Sequence, residues 1–147
     1  MNDLHMSKQK LPAEELYWRL QSYTLSLRDP TFMHQHVVDA WTAQNARQEI
    51  KPITLAFALV GLYLHVERGF SGRQVQRVHT LLAENTVDWP SFPLPAERGA
   101  VTAREVLSAP EGVKRRLAID AWCTSVWEAY GESHDTVAEL LARHGMS

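Results

Sequence analysis

Cysteine and net charge are both scarce in this chain. Cys123 is the only cysteine among 147 residues, so no disulfide can form within one chain, and a reducing compartment is expected. The formal net charge is −2, which gives no overall attraction for nucleic acid or for an anionic membrane. The composition therefore predicts a cytoplasmic protein that does not bind membranes, and it does not favour nucleic acid as a partner.

Long apolar runs and a leader pattern are also missing. The strongest apolar run, Ile53 to Val66, is too short to span a bilayer and contains Thr54 and His65. The first residues show no basic stretch followed by an apolar one, so no export signal is expected. The run predicts a buried core helix instead.

No segment alternates as a β-strand would, and most segments have a helical period. The pattern predicts an all-α fold, a compact single domain of about six helices over 12–145, after a flexible tail at 1–11. Three prolines in Trp89–Pro95 exclude a helix interior there and predict an extended strap. The predicted helices cover 13–28, 30–47, 53–68, 72–84, 102–109 and 110–130, with a last one that starts after Ser133. The predicted side-chain caps are Ser71, Ser133 and a capping box formed by Thr102 with Glu105.

The first helix has two apolar sides. Its inward stripe is predicted to be Leu16, Leu20, Tyr23 and Leu27. Trp18 and Leu25 lie nearly opposite that stripe, which predicts self-association as a dimer through these two residues. The alternative is that the tail or the strap covers them within one chain.

The next two helices differ in how apolar they are. On the second, an apolar face built on Met33, Val37, Val38 and Trp41 includes His34, whereas Gln35, His36 and Asp39 are predicted to point away from it. The third helix is apolar nearly all round, which is typical of a central element. Its one narrow gap carries mainly small residues, which predicts a close approach by another helix: Thr54, Ala58, Gly61 and His65.

Seven histidines suggest a metal site, although no metal motif such as HExxH is present. His34, His79 and His134 lie at the edges of apolar faces on separate helices, and three histidines with an open position suit a catalytic zinc or a similar divalent ion. Glu67, on the inward side of the third helix, is a fourth candidate ligand. The alternatives are histidines that each make their own hydrogen bond, and a Glu67 paired with Arg73, Arg77 or a histidine.

The segment 64–77 has a superficial helix-turn-helix pattern. Arg73 and Arg77 follow its glycine-containing turn and could contact bases or phosphates, which makes a DNA-binding regulator one hypothesis. The same serine-capped helix start could bind a small anion, or the basic residues could simply face solvent. Cys123 is predicted to be a core residue and not a nucleophile, because it lies on an inward apolar stripe with Ile119, Trp122, Val126 and Tyr130.

Several motifs in order resemble a family of small bacterial proteins of unknown function. They are the run from His34 to Gln44, Leu62-Tyr63-Leu64 leading to Glu67-Arg68-Gly69, His79, Trp89-Pro90, the stretch 99–106 and Val126-Trp127-Glu128-Ala129. Many members of that family start with a cysteine knuckle, which this chain replaces with Lys8-Gln9-Lys10-Leu11-Pro12. The positions that match the family pattern are His34, Asp39, Gln44, Glu67, His79 and His134.

Three functions are compatible with these observations. The first is a non-catalytic binding or interaction module. The second is a metal-dependent enzyme with ligands from His34, His79, His134 and Glu67, and the third is a DNA-binding regulator that uses 64–77. Asp39, Gln44, Arg73 and Arg77 are further candidates for a polar site.

Overall fold

The computed structural model describes residues 11–86 and 88–146, and within them all regular structure is helical. This confirms the all-α prediction. The predicted tail lies outside the described residues except for Leu11, which packs on the core while its carbonyl accepts a hydrogen bond from Arg104 at 3.0 Å. The helices are α1 (Ala13–Ser26), α2 (His34–Gln44), α3 (Pro52–Arg68), α4 (Gly72–Asn85), α5 (Ala103–Ser108), α6 (Val113–Ala129), a 3₁₀ turn (Gly131–Ser133) and α7 (His134–Arg143).

The centre of the bundle is formed by α2, α3 and α6, which pack against one another, and one continuous apolar core runs between them. Because α2 also contacts α1 and α4, it is covered on most of its circumference. The prediction that His36 and Asp39 point away from the apolar face is therefore wrong: both are buried. The predicted core stripe of α6 is confirmed, with Ile119, Trp122, Cys123, Val126 and Tyr130 all buried.

Two predicted helix starts at proline are wrong. The chain does not enter α2 at Pro30, because Arg28 and Phe32 have positive φ angles of 52° and 59°. A loop forms instead around Asp29, whose carboxylate accepts the backbone N–H groups of Thr31 at 2.9 Å and of Met33 at 3.1 Å. Likewise α6 begins three residues after Pro110, following Gly112.

Side-chain caps mark two helix starts as predicted. Ser71 and Gln74 form a reciprocal capping box on α4, and Thr102 and Glu105 form another on α5. The predicted cap at Ser133 is wrong, because this serine belongs to the 3₁₀ turn and its buried hydroxyl has no hydrogen-bond partner among the described residues.

Gln44 forms hydrogen bonds that hold the segment following the strap against the bundle. Its amide nitrogen donates to the carbonyl of Val101 at 2.8 Å and of Arg98 at 3.2 Å, while its oxygen accepts from the indole of Trp122 at 2.9 Å. The strap packs on the core through Phe92, with Trp89 and Leu94 partly buried, as predicted. Gln44, a candidate for a polar site, therefore has a structural role.

The apolar stripe of α1 is shorter than predicted. Leu16 and Leu20 are buried, but Leu27 follows the end of the helix and is 41% exposed, so its inward placement is wrong. Trp18 and Leu25 are 62% and 54% exposed on the side away from the core. In the part of the chain that the structure describes, no helix is both long and apolar enough to cross a membrane.

Candidate functional site

A pocket of about 240 Å³, lined by several polar side chains, lies where the first turns of α2 and α4 and the last turn of α3 meet α6. We call it the histidine pocket. It is smaller than the roughly 300–1,000 Å³ that is typical of pockets for drug-sized ligands, so it suits a ligand of a few heavy atoms. Its walls are formed by Thr31, Met33, His36, His65, Gly69, Phe70, Ser71, Gln74, Arg116 and Asp120.

Two histidines stack face to face in this pocket. The ring centroids of His36 and His65 are 3.5 Å apart, with an angle of 18° between the ring planes. His65 is held at both nitrogens, since Nε2 lies 2.8 Å from Oδ1 of Asp120 and Nδ1 lies 3.0 Å from the carbonyl oxygen of Phe70. Both partners are protein oxygen atoms, so neither nitrogen of His65 is left free for a further ligand.

His36 is the unsatisfied member of the pair. It is 5% exposed, and its Nδ1 is buried without a hydrogen-bond partner among the described residues. Burial lowers the pKa of His36 to about 3, helped by the positive charge of His65 beside it. His36 is therefore a neutral ring at physiological pH, with unused hydrogen-bonding capacity in the wall of a pocket.

The two histidines are poorly placed for proton transfer. A general acid or base needs a pKa near the working pH and a nitrogen that is free to reach substrate. His36 has a pKa too low for a base at neutral pH, and both nitrogens of His65 are already occupied. What the pocket offers is a fixed hydrogen-bonding ring, the hydrogen-bonded pair of His65 and Asp120, and the exposed guanidinium of Arg116.

The three histidines of the predicted metal site have separate partners. Nδ1 of His34 is hydrogen-bonded to the hydroxyl of Thr24 at 2.8 Å, and Nε2 of His79 donates to the carbonyl of Phe57 at 2.8 Å. Burial lowers the pKa of both rings. The structure therefore matches the alternative in which each histidine makes its own hydrogen bond.

His134 and Glu67 meet at the same residue without facing a common site. Nε2 of His134 donates to the carbonyl of Trp127 at 2.8 Å, and the two rings stack at 3.8 Å. Glu67 accepts the indole N–H of Trp127 at 2.6 Å. Its partner is therefore a tryptophan, and not the arginine or histidine of the alternative. Among the described residues, no three His, Cys, Asp or Glu side chains are placed to hold a metal ion, so the structure does not assemble the predicted set.

Asp39 is buried between α2 and α3. It is 2% exposed, its Oδ1 accepts a hydrogen bond from Gln35 at 3.0 Å, and its Oδ2 has no partner among the described residues. Burial raises the pKa of Asp39 well above its usual value, which favours the protonated form of the group. The carboxyl packs against Gly61, and this contact is the close helix approach that the small residues of α3 predict.

The two arginines of the helix-turn-helix segment lie outside the pocket. Arg73 is exposed, its guanidinium lies 5.2 Å from the centre of the Phe32 ring, and it donates to Gln76 at 3.4 Å. Arg77 is exposed on the same helix. The turn itself contributes Gly69, Phe70 and Ser71 to the wall of the histidine pocket.

The histidine pair was not predicted from the sequence, because a helical wheel of α2 places His36 among polar residues. One signal was available. His36 and Asp39 lie one turn apart on α2, while Gly61 and His65 lie one turn apart in the small-residue gap of α3. Two facing pairs, each about one helical turn apart, indicate a polar seam between these helices.

Comparison with known proteins gives one result. No curated protein and no solved structure matches this chain. A model of a family of unknown function, DUF5946, matches residues 13–131, which includes α1 to α6 and every residue of the histidine pocket. The resemblance to a family without a known function is thereby confirmed, and the chain belongs to the DUF5946 family.

Proposed function

We propose that this protein is a non-catalytic binding module of the cytoplasm, and that its ligand is a small polar molecule held in the histidine pocket. The observation that carries the proposal is His36, a buried neutral ring whose Nδ1 has no partner among the described residues. A buried polar atom without a hydrogen bond costs about 1–3 kcal/mol. Because His36 also lines the histidine pocket, a ligand there contacts the accessible edge of the same ring.

The residues around His36 hold its ring in a fixed position. Its ring is fixed by stacking on His65, which is itself tied to α6 through Asp120 and to the α3–α4 turn through the carbonyl of Phe70. A ring held in this way has lost its rotational freedom before the ligand arrives, which lowers the entropic cost of binding. The single cysteine, Cys123, is consistent with a reducing compartment.

Three planar probes of equal size and different charge test the proposal: acetate, acetamide and acetamidinium. Each is titrated into ¹⁵N-labelled protein while the backbone amide signals of Gly69, Ser71 and Gln74 are followed. Ligands of so few atoms bind weakly, so dissociation constants in the millimolar range are expected. The proposal requires saturable shifts at these amides with at least one probe.

Two variants tell pocket binding from surface binding. His36→Phe keeps an aromatic ring for stacking on His65 but removes both nitrogens, and it should abolish the saturable shifts. His34→Phe is the matched control on the same helix, outside the pocket, and it should leave them unchanged. Absence of saturable shifts with all three probes and with inorganic phosphate, or shifts that persist in His36→Phe, would contradict the proposed function.

A further inference from the structure

The charged groups around the histidine pocket differ in how fully they are paired, and this difference bears on the ligand. Three ionisable side chains line the pocket beside His36: His65, Asp120 and Arg116. The carboxylate of Asp120 lies 2.8 Å from Nε2 of His65, so it already has a hydrogen-bond partner inside the pocket. Arg116, on the same face of α6 one turn before Asp120, is exposed, and no carboxylate within the described ranges lies within salt-bridge distance of it.

One further carboxylate is close enough to matter. Hydrogen bonds from Thr31 and Met33 lower the pKa of Asp29, and the charge of Arg116 lowers it further. Asp29 does not line the pocket, and its oxygens are occupied by the N–H and hydroxyl of Thr31 and by the N–H of Met33. Arg116 is therefore the cation that remains available to a ligand in the pocket.

The pocket wall also contains hydrogen-bond donors. At the start of α4 the backbone N–H groups of Ser71, Arg73 and Gln74 are already bonded within the protein, so this helix adds the Ser71 hydroxyl and the Gln74 side-chain amide to the wall. His36 adds a neutral ring that can donate one hydrogen bond. A guanidinium, a hydroxyl, a side-chain amide and an imidazole N–H are together groups that bind a small oxyanion.

Resting on the proposed function, we propose that the ligand of the histidine pocket is a small oxyanion, a carboxylate or a phosphate, with Arg116 as the counter-charge and His36 as a hydrogen-bond donor. The buried ring of His36 is the independent sign that Ser71 and Gln74 face a ligand site and not only solvent.

The charge series measured at constant ionic strength tests the ligand class. Acetate should bind at the pocket amides most tightly, acetamide more weakly, and acetamidinium weakest of all. Inorganic phosphate is titrated separately, and the anion that binds more tightly shows which of the two oxyanions the pocket prefers. If acetamide or acetamidinium binds more tightly than acetate and phosphate, the inference is overturned while the proposed function stands. If none of the four probes binds, the proposed function itself has failed.

A pair of charge variants tests the role of Arg116. Arg116→Gln should weaken binding of the tighter anion about tenfold, since a hydrogen bond to a charged group is lost. Lys114→Gln, two residues earlier on α6, removes the same charge from an exposed residue outside the pocket and should change the dissociation constant less than about twofold, as screened distant charges do. Equal effects of the two variants would show non-specific attraction and overturn the inference.

Discussion

The carboxyl group of Asp39 occupies the space that a side chain on Gly61 would fill. A Cβ atom at residue 61 would lie 2.6 Å from Cγ of Asp39 and would overlap Oδ2. Both residues are buried, so neither can turn out to solvent. The contact between α2 and α3 therefore depends on the absence of a side chain at this position.

Gly61→Ala is expected to destabilise the protein by about 1–3 kcal/mol, because a buried overlap costs more than the roughly 1 kcal/mol that alanine gains over glycine in a helix. Urea unfolding measures the change. Gly131→Ala is the control, since a Cβ there meets no atom within 4 Å. In the background of Asp39→Ala the cost of Gly61→Ala should largely disappear, and full additivity would contradict the contact.

The proton on Asp39 predicts a pH dependence. The pKa of Asp39 is raised in the folded state, so its contribution to stability is fully present below the unfolded pKa of about 3.9 and is lost as pH rises toward the folded pKa. Asp39→Asn stays neutral at every pH. The free energy of unfolding of the variant, relative to that of the wild type, should increase by about 1.4 kcal/mol per pH unit between the unfolded and folded pKa values of Asp39. Parallel stability curves between about pH 5 and pH 8 would show that folded Asp39 is ionised.

Trp122 should be one of the most costly residues to truncate. It is fully buried and its indole N–H donates to Gln44 at 2.9 Å. Trp122→Ala is expected to lower the free energy of unfolding by about 3–5 kcal/mol, from lost burial and a cavity. The exposed Trp18 provides the matched control, with a change within about 0.5 kcal/mol for Trp18→Ala in the monomer. A loss below about 1 kcal/mol at Trp122 would contradict its place in the core.

Self-association through α1 remains a prediction. Trp18 and Leu25 present apolar surface on the side of α1 that faces away from the core, which favours pairing of two copies about a two-fold axis. Light scattering at about 100 μM should give the mass of a dimer, since even weak dimers with a dissociation constant of tens of μM are then populated. Changing both residues to serine should halve that mass while the circular dichroism stays helical. A wild-type mass of one chain would contradict the prediction.

Most helices could be predicted from the sequence because their apolar periods and caps are local properties. The capping boxes at Ser71 and Thr102 and the stripe of α6 were all predictable in this way. The starts at Pro30 and Pro110 were not, because proline permits a helix start without requiring one. Here Asp29 binds the backbone of a loop instead.

The candidate site was harder to predict, since it depends on which helices surround α2. His34, His79 and His134 lie at helix-face edges as expected, yet each ring meets its own partner. His36 looks solvent-facing on a helical wheel and is buried because α3 and α6 cover that side. Burial of a polar residue on a central helix is a tertiary property that one-dimensional periodicity does not contain.

The ring nitrogens of His36 give the most direct test of the account. In a ¹⁵N spectrum of the histidine side chains at about pH 7, His36 should show the two distinct nitrogens of a neutral ring. Saturating acetate or inorganic phosphate should shift these two signals, while the ring signals of His34 and His79, which lie outside the pocket, stay in place. A doubly protonated His36 before ligand is added, or His36 signals unmoved by both anions, would contradict the central claim that this buried histidine faces the ligand.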